Sequence, residues 1–183
     1  MSTITDNATK TSWTLDPAHS ELSFKVKHLM ITTVTGYFKS FRATMETMED
    51  DLANISNITV EVDAASVTTN NEHRDTHLRS EEFFDAEQFK LLQFEATGLN
   101  VDGDAGTLQG NLTIKSITQP VTLQVEVGGV ATDPYGQTKA GFTITGKISR
   151  KAFGLTWNAM TEAGGTVLGD EVKIHAEIQL VKQ

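Results

Sequence analysis

Along most of this chain apolar and polar residues alternate with period two, the pattern of strands buried on one face. Leu22, Phe24, Val26 and His28 share one side of an early run, with Ser23, Lys25 and Lys27 on the other, so parity carries His28 to the apolar face. Val34 to Met45 predicts a second strand, with a bend or bulge at Gly36. Ile58, Val60, Val62 and Ala64 alternate against Thr59, Glu61 and Asp63. The series continues through Leu92, Phe94 and Ala96, then Leu108, Gly110, Leu112 and Ile114, and, after a break expected at Pro120, Val121, Leu123, Val125 and Val127. Ala140, Phe142, Ile144 and Ile148, then Val172, Ile174, Ala176, Ile178 and Leu180, complete it. Loops are expected at Asp50-Asp51 with Asn54 and at Asp102 to Gly106; Asp133-Pro134-Tyr135-Gly136 suits a type I turn.

That makes about eight long strands with short connections and no recurring crossover helix, which predicts an all-β antiparallel architecture. Closing such a sheet into a barrel removes its exposed edges and accounts for the one-sided faces. With roughly eight strands the interior is either filled by side chains or holds one small ligand. Alternation alone leaves both readings open.

One stretch breaks the pattern. Residues Arg74 to Phe84 place two arginines, a histidine, three acids and two adjacent phenylalanines in eleven positions. Asn71 and Ser80 suit helix N-caps, and Glu81 and Glu82 then fall in a first turn, where the helix dipole favours anions. The expectation is a helical insert of two short turns over about residues 71–88. Leu78, Phe83 and Phe84 would anchor it, leaving Arg74, Asp75, His77 and Arg79 near a rim.

Composition narrows the class. The 183 residues predict one domain over 12–183 behind an unstructured tail of residues 1–11. No run approaches the ~18 apolar residues of a spanning helix. A net charge of -9 argues against nucleic acid and against docking on anionic head groups through bulk charge; an anion would need a local cluster. There is no cysteine, so disulfides and thiolate chemistry are excluded. Met1 to Lys10 lacks the apolar core of a signal peptide, which predicts a cytoplasmic protein, or a periplasmic one if the start has been trimmed.

Several short motifs occur in a fixed order: Leu15-Asp16-Pro17-Ala18-His19-Ser20, Phe24-x-Val26-x-His28, Gly36-x-Phe38, Arg74-Asp75-x-His77-Leu78-Arg79-Ser80 and Phe83-Phe84-Asp85. Leu112-Thr113-Ile114-Lys115, Pro120-Val121, Arg150-x-x-Phe153-Gly154 and Gly169-Asp170-Glu171-Val172-x-Ile174 follow. Together, from about Trp13 to Leu180, they resemble the YceI-like, polyisoprenoid-binding family. The sequence departs from that pattern at Lys90, where such sequences often have proline, and at Ser116, where glycine is frequent; both positions fall in connections. The resemblance implies an extended, lipocalin-like eight-stranded barrel with an apolar tunnel, holding an isoprenoid, a quinone-like ligand or another amphiphilic lipid, with no cofactor and no enzymatic chemistry. The tunnel walls so implied are Phe24, Val26, Phe38, Val60, Val62, Phe94, Leu112, Ile114, Val125, Phe142 and Ile144. His28 would lie beside the chain, and Arg74, His77 or Arg79 would hold a polar head.

His19-Ser20 with Asp16 or Asp75 invites a nucleophile–base reading, but no Gly-x-Ser-x-Gly elbow accompanies it, and a turn whose side chains bond the backbone accounts for the same residues. His73 and His77 have i, i+4 spacing without a His-Glu-x-x-His arrangement, so no metal is expected. Arg74-Asp75 and Arg79 read equally as an ion-paired helical cap or as forked donors for a phosphate-like head. Lys25 and Lys27 are expected to be solvated, and Trp13 and Trp157 to plug or stack at the barrel ends. Two alternatives to a lipid carrier stay open: an enzyme acting on a lipid-like substrate through His19, His28 or His77, and a packed barrel acting through a protein partner. Association as a homodimer is likewise left open.

Overall fold

The computed structural model describes residues 9–183. Eleven strands and one α-helix are present among them: β1 (Lys10–Leu15), β2 (Glu21–His28), β3 (Thr32–Phe38), β4 (Phe41–Met48), β5 (Ile55–Asp63), β6 (Val67–Thr68), α1 (Glu72–Arg79), β7 (Leu91–Asp102), β8 (Ala105–Ile114), β9 (Ile117–Thr132), β10 (Thr138–Ser149) and β11 (Leu168–Lys182). The first six form three long strands, each interrupted once. A 3-10 turn at Pro17–His19 separates β1 from β2, Lys39-Ser40 separates β3 from β4, and a 3-10 turn at Ala64–Ser66 separates β5 from β6. Counted that way there are eight strands. Every neighbour is antiparallel, and pairing of β1 with β11 closes the ring.

The interruptions carry consequences. Leu15 faces Leu180 and Glu21 faces Glu177, so five residues of the first strand oppose two of β11. The surplus chain folds into the Asp16–Ser20 turn. Lys39 and Ser40 likewise divide what the alternation presents as one strand from Val34 to Met45. Beyond the Ala64–Ser66 turn the β5–β6 strand pairs only with β3, while β5 pairs with β7 as far as Asp63 and Leu91. The sheet therefore opens between β6 and β7, and the helical insert covers the opening.

Four expectations are corrected. Gly36 is no bulge: it pairs in register with Phe24, and a Cβ there would overlap the Phe24 ring. Pro120 does not precede a strand but lies inside β9, opposite Asn111. The last β9–β10 pair joins Gln124 to Thr145, so the missing N–H of Pro120 costs no rung on that side. Lys10 and Thr11 already pair with Met48 and Thr47, so the strand begins inside the expected tail; residues 1–8 of that tail lie outside the described residues. Ser80 ends α1 and does not start a second helix. Its N–H and its hydroxyl both donate to His77 O, at 3.1 and 2.6 Å.

The expected helix cap and the expected type I turn are both present. Asn71 caps α1 by accepting from Arg74 N at 3.0 Å, and Gly136 N donates to Asp133 O at 3.1 Å, closing the turn read from Asp-Pro-Tyr-Gly. Two apolar clusters line the barrel from end to end, one around Trp13, Met45, Phe94 and Phe142, the other around Phe38, Val62, Ile114 and Phe153. Val60, Leu112 and Val121 pack against both. The short turns after β4, β7 and β9 gather at one end, here the turn end. The β2–β3 hairpin, α1 and the irregular segment 154–167 gather at the other, the insert end.

Candidate functional site

The alternating residues of eight strands turn one face inward, and that face encloses a cavity of about 440 Å³. It runs from Leu52, Ile55 and Val127 near the turn end to His28, His77, Trp157 and Val167 at the insert end. The volume falls within the ~300–1,000 Å³ usual for small-molecule sites. Almost every wall residue is aliphatic or aromatic. Phe24, Val26, His28, Phe38, Val60, Val62, Phe94, Leu112, Ile114, Val125, Phe142 and Ile144 all line it, as do Arg74 and His77. Arg79 is not among the lining residues.

The polar groups cluster at the insert end. Asp75 is expected at a rim, yet it is buried beneath the helix. It accepts from Thr69 N at 2.7 Å, Thr69 Oγ1 at 2.5 Å and Thr68 Oγ1 at 3.2 Å, which fastens α1 to β6. Burial opposes its charge, but these hydrogen bonds and the nearby Arg79 hold its carboxyl below the usual carboxylate range. Arg79 reaches Val67 O at 3.4 Å, so both residues tie the insert to the barrel. Arg74 donates from Nε to Thr69 Oγ1 at 2.6 Å and from Nη2 to Thr69 O at 2.9 Å, while Nη1 makes no hydrogen bond among the described residues.

His77 is 35% exposed and also lines the cavity, which puts it at the mouth. Its Nε2 lies 2.6 Å from Glu82. Its ring meets those of Phe83 and Trp157 edge-on, with centroids 5.0 and 4.7 Å away. These contacts join α1 to the 154–167 segment across the cavity mouth. Trp157 thus stacks at the insert end. Trp13 is fully buried among the apolar residues of the other cluster, where its Nε1 donates to Thr47 Oγ1 at 3.0 Å.

Among the lining residues that the sequence did not single out as such, Arg150 is the charged one. It is 3% exposed and gives hydrogen bonds to Gly169 O, Leu155 O, Trp157 O and Leu168 O, at 2.6 to 3.2 Å. One side chain thereby holds both ends of the irregular segment. Burial pulls its pKa below the ordinary guanidinium value, with Asp170 partly offsetting this. A signal was available: Arg150 continues the inward parity of Ile144 and Ile148, and a charged residue at an inward position calls for a partner set.

The His19-Ser20 pair stands apart from the cavity. Ser20 Oγ donates to Gln179 O at 3.3 Å and accepts from Gln179 N at 3.0 Å, the arrangement of a turn serving the backbone. His19 bonds Asp16 at 2.9 Å and its side chain is 61% exposed.

Comparison with known proteins adds the lineage. A family model described as YceI-like domain matches residues 13–180. A UPF0312 protein of Staphylococcus aureus is 36% identical over 170 residues, covering 92% of this chain and 96% of that protein. Among solved structures, a Campylobacter jejuni YceI protein superposes with a TM-score of 0.74 at 32% identity, covering 92% of this chain and 96% of its own. A polyisoprenoid binding domain from Saccharophagus degradans gives 0.69 at 15% identity over 93% and 98%, a likeness of fold alone.

Proposed function

The chain belongs to the YceI-like domain family, and on that footing we propose that it binds a long-chain isoprenoid or similar amphiphilic lipid in the barrel, storing or carrying it without turnover. One observation carries the reading: a continuous cavity of about 440 Å³ with almost wholly apolar walls, in a fold where side chains alone can fill the interior. An empty apolar cavity forfeits packing contacts, whereas each buried CH₂ of a bound chain contributes about 0.8 kcal/mol. The free Nη1 of Arg74 and the His77 ring at the mouth suit a polar head with the chain directed inward. The polyisoprenoid binding domain of Saccharophagus degradans, which has the same fold, supports the same ligand class.

Organic extraction of the purified protein followed by mass spectrometry is expected to yield a long-chain amphiphile in near-stoichiometric amount. If none is extracted, and none added from a panel of isoprenoid alcohols and quinones displaces a fluorescent isoprenoid, the lipid-binding reading fails. Turnover of a lipid ester that disappears with His77→Ala would move the protein to the enzyme class.

A further inference from the structure

The β2–β3 hairpin at the insert end breaks a local rule at its tip. Ile31 N donates to His28 O at 3.1 Å across Leu29 and Met30, whose φ angles are 53° and 60°. Two successive positive φ values define the turn that Asn-Gly fits best, because bulky side chains are strained there. Here the positions hold leucine and methionine. They are 38% and 61% exposed, and Ile31 beside them is 76% exposed. Met160, in the neighbouring segment, is 70% exposed. Leu29 N bonds Val167 O at 2.7 Å, which sets the hairpin tip beside that segment. Four of the six large apolar side chains exposed among the described residues thus lie at one end, next to His28 and Val167 of the cavity wall.

A second feature flanks the tip. Lys147 faces Lys173 across β10 and β11, and Lys173 faces Lys25 across β11 and β2. Lys27 follows on the same outer face of β2, and all four are exposed. Like charges directly opposite on a sheet are unfavourable, so the row costs folding stability. Lys147 has a distant partner in Glu171 at 3.9 Å; the other three have none among the described residues. Asp170 is tied to Ser149 and Lys151 N, and Glu162 is exposed near Met160. The acids of the insert, Glu72, Glu81 and Glu82, lie beyond β3 and β6 from the lysines.

We propose that this end docks on the surface of an anionic lipid bilayer, with Leu29, Met30 and Ile31 entering the interface and Lys25, Lys27, Lys147 and Lys173 meeting the head groups. At ~3.3 Å per residue, Lys27 stands about 7 Å behind Leu29, at the depth of the head-group layer, and Lys25 about 13 Å behind it, within a Debye length of that layer. The net charge of -9 repels such a surface as a whole, and the local row, offset in part by the exposed Glu171 on the same face, opposes that on the one flank where the apolar tip projects. A second copy is a poorer occupant, since two-fold pairing would set one lysine row against the other.

Flotation of the full chain with phosphatidylcholine vesicles, and with phosphatidylcholine and phosphatidylglycerol mixed in equal parts, tests this. The protein is expected to float with the mixed vesicles, less so as salt rises, and weakly with the neutral ones. Met30→Asn with Ile31→Ser should lower both. Lys25→Gln with Lys173→Gln should weaken binding to the mixed vesicles about twenty-five-fold, roughly fivefold per lysine, and leave the neutral ones unchanged. Unaltered melting temperatures would show that the variants fold. Displacement of a fluorescent isoprenoid without vesicles reads the cavity separately, so losing it while flotation persists would sink the lipid-binding reading and not the docking surface. The docking surface is overturned if the unmutated protein does not float, or if the tip variants float equally well. It is also overturned if the tip variants only dissociate a dimer.

Discussion

Gly36 and Phe24 are the smallest unit in which the cavity can be understood. The Phe24 ring occupies the space a Cβ on Gly36 would fill, so the aromatic lies over the facing strand and not across the lumen. Gly110 stands in the same relation to Phe94. Gly36→Ala is therefore expected to push the Phe24 ring inward, costing ~1–3 kcal/mol and lowering lipid occupancy. Gly141→Ala, where nothing lies within 4 Å of the added Cβ, is the matched control. Melting temperature and extracted lipid, measured on both, check it; equal behaviour would remove Gly36 from the account. Parity placed Phe24 and Phe94 on the inner face correctly, but a glycine in a strand reads as a bend, and only the cross-strand neighbour revealed what it accommodates.

The Asp16–Ser20 turn and the helical insert show how short elements are held. Asp16 Oδ2 accepts from His19, Lys139 and Gln179 at 2.9 to 3.1 Å, and Oδ1 accepts from Ala18 N at 3.1 Å. Lys139 also pairs with Asp133 at 3.2 Å, so one network joins the first strand, the β9–β10 turn and β11. The hydrogen bond from His19, working against the cost of burial and helped by Lys139, Gln179 and Ala18 N, holds the Asp16 carboxyl far below the usual carboxylate range. A carboxyl whose folded pKa is depressed contributes stability above its unfolded value and loses it as pH falls through the folded one. Stability should thus decline from about pH 4 downward. Asp16→Asn should cost ~1–3 kcal/mol at neutral pH and flatten that acid slope. Denaturant melts at a series of pH values check both, and an unchanged slope would place the acid sensitivity in other carboxylates. The turn itself was legible in Asp-Pro-Ala-His-Ser, and the cap of α1 in Asn71. The burial of Asp75 was not, because its partners Thr68 and Thr69 precede the helix and meet it only once the chain has turned.

For the barrel as a whole the decisive quantity is whether its interior is occupied. Val125 is 3% exposed, sits midway along β9 opposite Ile144, and faces the cavity. Val125→Phe is expected to shorten or reduce the bound chain while the barrel still forms. Were the interior dry and close-packed, the same change would cost ~1–3 kcal/mol with no ligand to displace, and lipid extraction beside thermal melting separates the outcomes. The sequence by itself determined the antiparallel strands, their inward faces and the position of the insert. Each follows from period-two alternation or from turn and cap chemistry, which act within a few residues. Closure of β1 on β11, the opening between β6 and β7, the burial of Arg150 and the join of His77 to Trp157 were decided only in the tertiary structure. These depend on groups far apart in the chain, such as Trp13 and Lys182, 169 positions apart (182 − 13), brought together by strand register around the ring. Cavity volume is of the same kind, being set by how facing side chains share the lumen, and no single strand records that.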